Sequence, residues 1–161
     1  MNASNKRGLL AIAVIVLDQL IKMQVRSLPL GKTFFEIPGL ISFEHCVNTG
    51  AAFSMFAGQV WLLAVISIAL IAAMLFFVCR HLHMTKAAWL AMECLIGGGM
   101  GNLIDRLLFS GVTDYVRLRF IDFPVFNLAD MAITGAIAVL LALLFTDDLE
   151  EGSEEKHGSE G

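Results

Sequence analysis

Cysteine is scarce in this chain: Cys46, Cys79 and Cys94 are the only three in 161 residues, with neither paired spacing nor a CxxC motif. A disulfide framework and a cysteine-bound zinc are therefore poor readings of the sequence. Cys79 and Cys94 fall within apolar runs and are expected to serve as small core residues. The four histidines, His45, His81, His83 and His157, scatter over loops and tail, which argues against a metal site. No small-x-small cleavage site follows the first apolar run, and Asp18 and Lys22 interrupt it. That run reads as a retained first helix rather than a removed signal peptide.

What the chain has in excess is apolar sequence. It is 57% hydrophobic with a mean hydropathy of +0.75, against roughly 45–50% apolar in soluble domains. Crossing a hydrocarbon core of ~30 Å takes about 20 predominantly apolar residues. Four stretches meet that length: 8–25, 60–78, 87–109 and 128–145. The expected fold class is an all-α membrane protein of four transmembrane helices with a small extracytoplasmic β-containing loop region. Residues 1–146 form that one domain. Residues 147–161 (DDLEEGSEEKHGSEG) hold much of the acid behind the net charge of −4 and read as a disordered tail.

The loop over 27–59 is too long for a simple link between bundle helices. Within it, Thr33–Ile37 and Leu40–His45 are β-prone and separated by the turn signal Pro38-Gly39. Residues 80–86 (RHLHMTK) make a basic hinge, and 110–126 is a second loop on the same side as the long one. Four helices place both termini on one side. Lys6, Arg7, Arg80 and Lys86 then oppose Arg26, Lys32, Arg117 and Arg119, an even count. The terminal-side cations sit beside the spans without nearby acids, which places the termini inside.

Several polar residues stand out against this background. Asp114 and Asp130 flank a short loop between two long apolar segments. Carboxylates at a membrane boundary are costly unless something there uses them, and two that reach one site suggest a shared proton and an activated water. Asn127 reads as an N-cap, which sets Asp130 at the third helical position near the positive end of the helix dipole. Asp114 lies on a segment, 111–115, read as irregular. Taken singly, Asp130 reads as an ordinary N-terminal acid and Asp114 as an ordinary turn residue; taken together, beside Asn102 and Arg106, they read as a site.

Asn102 and Arg106 are four apart and share a helical face, where they can bind carbonyls, a carboxylate or a lipid phosphate, or form a structural network. Asp105 is expected to pair with a cation or cap local backbone. The run Gly97-Gly98-Gly99-Met100-Gly101 weakens a helix and fits either close helix packing or room for a substrate helix. Asn48 and Gly50 sit where the long loop returns to the membrane, and a turn with a capping Asn is an equal reading. Asp18 and Lys22, at i and i+4, favour a buried ion pair over catalysis, and Lys22 can alternatively meet a lipid head group. Glu93 receives no role.

Read in order, Asp18-Gln-Leu-Ile-Lys22, Asn48-Thr-Gly-Ala-Ala-Phe53, Gly101-Asn-Leu-Ile-Asp-Arg106, Val112-Thr-Asp114 and Phe126-Asn-Leu-Ala-Asp130 resemble the motif set of signal peptidase II, the bacterial prolipoprotein signal peptidase. The resemblance implies a four-helix aspartic endopeptidase of the bacterial cytoplasmic (inner) membrane, with both termini cytoplasmic and the active site near the outer face. It implies that Asp114 and Asp130 are the catalytic dyad. Asn48, Gly50, Asn102, Arg106 and Asn127 would line or brace the substrate site, with Asp18 and Lys22 in support. The implied substrates are prolipoprotein signal peptides with a diacylglyceryl cysteine, cut on the amino side of that cysteine. Membrane lipids are the other partners, and neither a metal or organic cofactor nor a nucleic acid is expected. The 27–59 loop would fold over the substrate as a lid. A transporter would carry its carboxylates near the midplane, and a structural adaptor would leave this polar set without a use.

Overall fold

The computed structural model of the chain describes residues 7–51, 55–81 and 84–158, with side chains to Phe145. Helix α1 spans Leu9–Arg26, strands β1 and β2 span Thr33–Ile37 and Ile41–Asn48, and helices α2 and α3 span Val60–Arg80 and Lys86–Phe109. Strand β3 (Val112–Leu118) follows, then helix α4 (Leu128–Gly158). Residues 52–54 of the Asn48–Phe53 motif and 82–83 of the basic hinge lie outside the described residues. So do the side chains of the acidic stretch expected to be disordered.

Helix α3 is the hub, packing against α1, α2 and α4. Its glycines allow this. A Cβ on Gly97 would sit 2.8 Å from the Ala11 carbonyl oxygen of α1, and one on Gly98 would sit 2.6 Å from the Ala129 oxygen of α4. On Gly101 it would meet Asp18 Oδ2 at 2.6 Å. Three of the four glycines are thus consumed by helix packing. Gly99 alone faces an accommodating neighbour, the Ile71 side chain at 3.3 Å.

Helices α2, α3 and α4 are long and apolar enough to cross a membrane. Helix α1, expected as a fourth span, does not pass that composition test: Asp18, Lys22 and Arg26 all fall within its 18 residues. The expectation for the cysteines also needs correcting at one position. Cys94 is half-buried, but Cys79 is exposed on α2, whose outer surface is apolar almost throughout: Trp61, Val65, Ile68 and Phe76 all point outward.

The β-prone segments pair as expected, and a third strand joins them in the order β1-β2-β3, all antiparallel. The 111–115 segment is therefore not irregular, because Asp114 lies within β3 opposite Cys46 of β2. Val112–Leu118 pairs with residues some seventy positions earlier, and no local turn signal announces such a strand. Ser110, at φ 55°, ends α3 in the left-handed region and turns the chain into β3. At the opposite end of the bundle, Glu93 accepts from Gly8 N (2.7 Å), Leu10 N (3.0 Å) and Trp89 Nε1 (2.6 Å). It satisfies two of the amides that a helix N-terminus leaves open, a role its sequence position did not reveal.

Candidate active site

The site is built on the first turn of α4. Asn127 Oδ1 accepts from Asp130 N (2.9 Å), and Asp130 Oδ2 accepts from Asn127 N (3.2 Å). This is a reciprocal capping box with aspartate in the usual Glu position. The two amides between are also used: Leu128 N donates to Tyr115 Oη (3.0 Å), and Ala129 N donates to Asp18 Oδ1 (3.1 Å). Side chains from α1, β3 and α4 itself thus satisfy all four of these amides. Asp130 is fixed in place by that closure.

Asp114 arrives from β3. Its Oδ1 accepts from Asn127 Nδ2 at 2.7 Å, and it also takes a side-chain hydrogen bond from Asn48. Asp130 Oδ1 accepts from Asn102 Nδ2 at 2.7 Å, while Asn102 Oδ1 accepts from Asn127 Nδ2 at 3.1 Å. The two carboxyl groups are therefore joined through a pair of asparagine amides. Burial, then the neighbouring Asp130 charge, pushes Asp114 up to about 7; donors from Asn127 and Asn48 and the Lys22 charge pull the other way. Desolvation wins because Asp114 is 2% exposed.

Beneath the carboxyls lies a charge cluster in which Asp18, Lys22 and Asp105 are fully buried and Arg26 is partly exposed. Lys22 Nζ contacts Asp18 Oδ2 (2.9 Å) and Asp105 Oδ2 (3.3 Å), and Arg26 contacts Asp105 Oδ1 at 3.1 Å. Two cations balance two anions. Asp105 Oδ2 also accepts from Thr113 N (2.8 Å), which ties α3 to the start of β3. Arg26 and Gln19 complete the ring around Asp105.

A cavity of about 780 Å³ opens over Asp114 and Asp130, walled by α2, α3 and α4. Leu70, Ile71, Met74, Ile133 and Ile137 make it apolar, and Asn48, Gly50, Asn102 and Arg106 bring polar groups to the carboxyl end. A second cavity of about 470 Å³ meets it at Asn48, Gly50 and Asp114, and is lined by Cys46, Arg117 and Asp122. Cys46 is no nucleophile there: burial and the adjacent Glu44 hold its thiol up at about 11.

Every residue singled out for chemistry converges on this end of the bundle. Asp114, Asp130, Asn48, Gly50, Asn102 and Arg106 share one cavity; Asn127 bridges the carboxyls, and Asp18 and Lys22 lie below. The Asp18–Lys22 ion pair is present, and Asp105 both pairs with cations and caps backbone, as anticipated. Tyr115 and Thr113 were missed as members of the site, because a tyrosine capping a helix thirteen residues away leaves no local signature. Among the described residues no cluster of His, Cys, Asp and Glu has the makings of a metal centre.

Known proteins resemble this chain in both sequence and fold. The profile of the family described as Signal peptidase (SPase) II matches residues 10–146. A lipoprotein signal peptidase of Streptococcus pyogenes serotype M1 is 37% identical over 138 residues, covering 85% of this chain and 91% of that protein. Another, from serotype M5 (strain Manfredo), is 36% identical over the same coverage. Two solved structures titled as a bacterial membrane enzyme, obtained by the in meso method, are each 28% identical. One superposes with a TM-score of 0.82 over 87% of both chains, the other with 0.78 over 86% of this chain and 92% of its own. The matched residues run from the first helix through the apolar part of the last, the same stretch that assembles the two-aspartate site, and the chain belongs to the signal peptidase II family of membrane proteases.

Proposed function

We propose that this protein is an aspartic endopeptidase that removes signal peptides from diacylglyceryl-modified prolipoproteins, cutting on the amino side of the lipidated cysteine. The observation that carries the reading is the placement of Asp114 and Asp130 on one cavity, each held by an asparagine amide that touches the other. Asp114, raised to about 7, enters as the acid. Asp130, which receives two N–H donors, enters as the acceptor-only carboxylate.

In the reaction Asp130 takes a proton from water as its oxygen attacks the scissile carbonyl, and Asp114 donates its proton to the carbonyl oxygen. The tetrahedral species then collapses. The proton held by Asp130 passes to the departing amine, and Asp114 recovers its own from the hydroxyl. Peptide and water become acid and amine with no covalent intermediate. The apolar cavity takes the signal helix and acyl chains, and the polar one takes the chain beyond the cut. With Gly97, Gly98 and Gly101 spent on packing, Gly99 remains to give a substrate helix room.

The membrane placement follows from burial. Helix α1 turns Asp18 and Lys22 wholly inward while Leu9, Ile12, Val16, Leu20 and Met23 face out, so its outer surface suits lipid despite its charges. At ~1.5 Å per residue its 18 residues reach ~27 Å, enough for a fourth span. In this reading the protein lies in the bacterial inner membrane with both termini cytoplasmic and the sheet at the outer face.

Asp114→Asn and Asp130→Asn test the dyad. Each variant should insert and fold yet lose about 10²–10⁴-fold in cleavage of a lipidated substrate in proteoliposomes. Cleavage near the parent rate by either would remove the dyad.

A further inference from the structure

Two asparagines aim hydrogen-bond donors at the two carboxyl groups, and an asparagine amide is useful in that role only if its flip is fixed. The anchor for Asn127 is a backbone amide: Asp130 N donates to its Oδ1 at 2.9 Å, so Nδ2 must face Asp114. The anchor for Asn102 is Lys22. The ammonium has three donors and no acceptor, and its partners are Asp18 Oδ2, Asp105 Oδ2 and Asn102 Oδ1, the last at 2.8 Å. Whichever atom of Asn102 faces Lys22 is therefore its oxygen, and Nδ2 is left facing Asp130 at 2.7 Å. A flipped amide would set the Asn102 NH2 against the ammonium and its oxygen against the carboxylate.

We infer that Lys22 is a positioning residue for hydrolysis: by locking the Asn102 amide it keeps a donor on Asp130, and Asp18 and Asp105 serve to hold the ammonium in that register. Lys22 touches neither carboxyl of the dyad. Its two remaining donors fix where the third points, and the cluster stays neutral because Arg26 balances the second aspartate. The inference rests on the dyad reading and assigns a function to an ion pair whose i, i+4 spacing suggests support of the fold alone.

Lys22→Met by itself leaves two buried carboxylates with one cation, so the informative variant is the neutral pair Asp18→Asn with Lys22→Met. Asn at position 18 can still accept from Ala129 N. Turnover by this double variant in proteoliposomes should fall about 10- to 100-fold, the scale of a misplaced catalytic group, with KM changed less than about threefold. Replacing Lys22 by Gln in the same Asp18→Asn background returns a neutral donor toward Asn102 and should recover most of that loss. A purely structural lysine would give Met and Gln the same rate. In an Asn102→Ala background the neutral pair Asp18→Asn with Lys22→Met should cost nothing further.

A fold-safe variant keeps the inference exposed if the neutral pair fails to assemble. Asn102→Ala removes the amide that Lys22 fixes and adds no buried charge, and it should lose about 10- to 100-fold in turnover. Parent-like turnover in Asn102→Ala, equal rates for the Met and Gln variants, or multiplicative losses when the neutral pair is combined with Asn102→Ala would each overturn the positioning role. If Asp114→Asn or Asp130→Asn cleaves normally, the dyad falls instead, and the two failures are distinguishable.

Discussion

Under the proposed mechanism Asp114 sets the pH behaviour of the site. Burial and the Asp130 charge raise it from 3.8 to about 7, so its proton is present in acid and lost as pH climbs through neutrality. The acid of the pair is then missing above that point. We predict that kcat/KM for a lipidated peptide, which reports the free enzyme, declines on an alkaline limb centred near pH 7, about tenfold per unit beyond it. An alkaline limb first appearing above about pH 9 would place the essential proton elsewhere. The sign for stability is the same: this group's contribution is complete below about 4 and spent above about 7, because the folded form binds the extra proton over that interval. At this scale much was legible in sequence. Asn127 and Asp130 declare themselves by the spacing of a helix N-cap, and Asp18–Lys22 by i, i+4 spacing. Tyr115, Thr113 and Glu93 did not, because Tyr115 and Glu93 cap backbone far away in sequence, Thr113 meets Arg26 and Asp105 from other elements, and nothing local announces such partners.

Helix α3 fixes how closely the other elements approach, and its glycines divide by what they face. Gly98 opposes a backbone oxygen, that of Ala129 beside Asp130, which cannot yield without moving the first turn of α4. Gly98→Ala should therefore cost about 1–3 kcal/mol and also depress turnover. Gly99 opposes a side-chain tip, Ile71, on the cavity wall. Gly99→Ala should leave the melting temperature near the parent's and raise KM instead. Gly135 meets nothing within 4 Å and serves as the control, with thermal unfolding in detergent as the common readout. Equal melting losses at positions 98 and 135 would contradict this division. The helix boundaries were readable because apolar runs and breakers mark them. The glycine-rich stretch kept packing and substrate readings open in sequence, since either wants small side chains, and only the neighbours decide. Strand β3 was invisible because its pairing partner, β2, lies across two intervening helices.

For the whole molecule the orientation turns on which cations are free. Counted along the sequence, the two ends tie at four basic residues each. In the structure the two ends differ: at the sheet end Arg26 is bound to Asp105, Arg117 to Glu44 and Arg119 to Glu36. At the other end Arg7 lies over Trp89 and Arg80 over Phe76, and among the described residues no carboxylate pairs with Arg7, Arg80 or Lys86. In the proposed orientation these cations lie at the cytoplasmic interface. The sheet, and with it Asp114, then faces outward. In a background with Cys46, Cys79 and Cys94 replaced, Lys32→Cys on the exposed segment before β1 should react with an impermeant maleimide applied to intact spheroplasts. Lys86→Cys, at the start of α3, should react only after permeabilisation. The reverse pattern would invert the protein, and labelling of both from outside would deny that α2, the helix between the two positions, crosses the membrane.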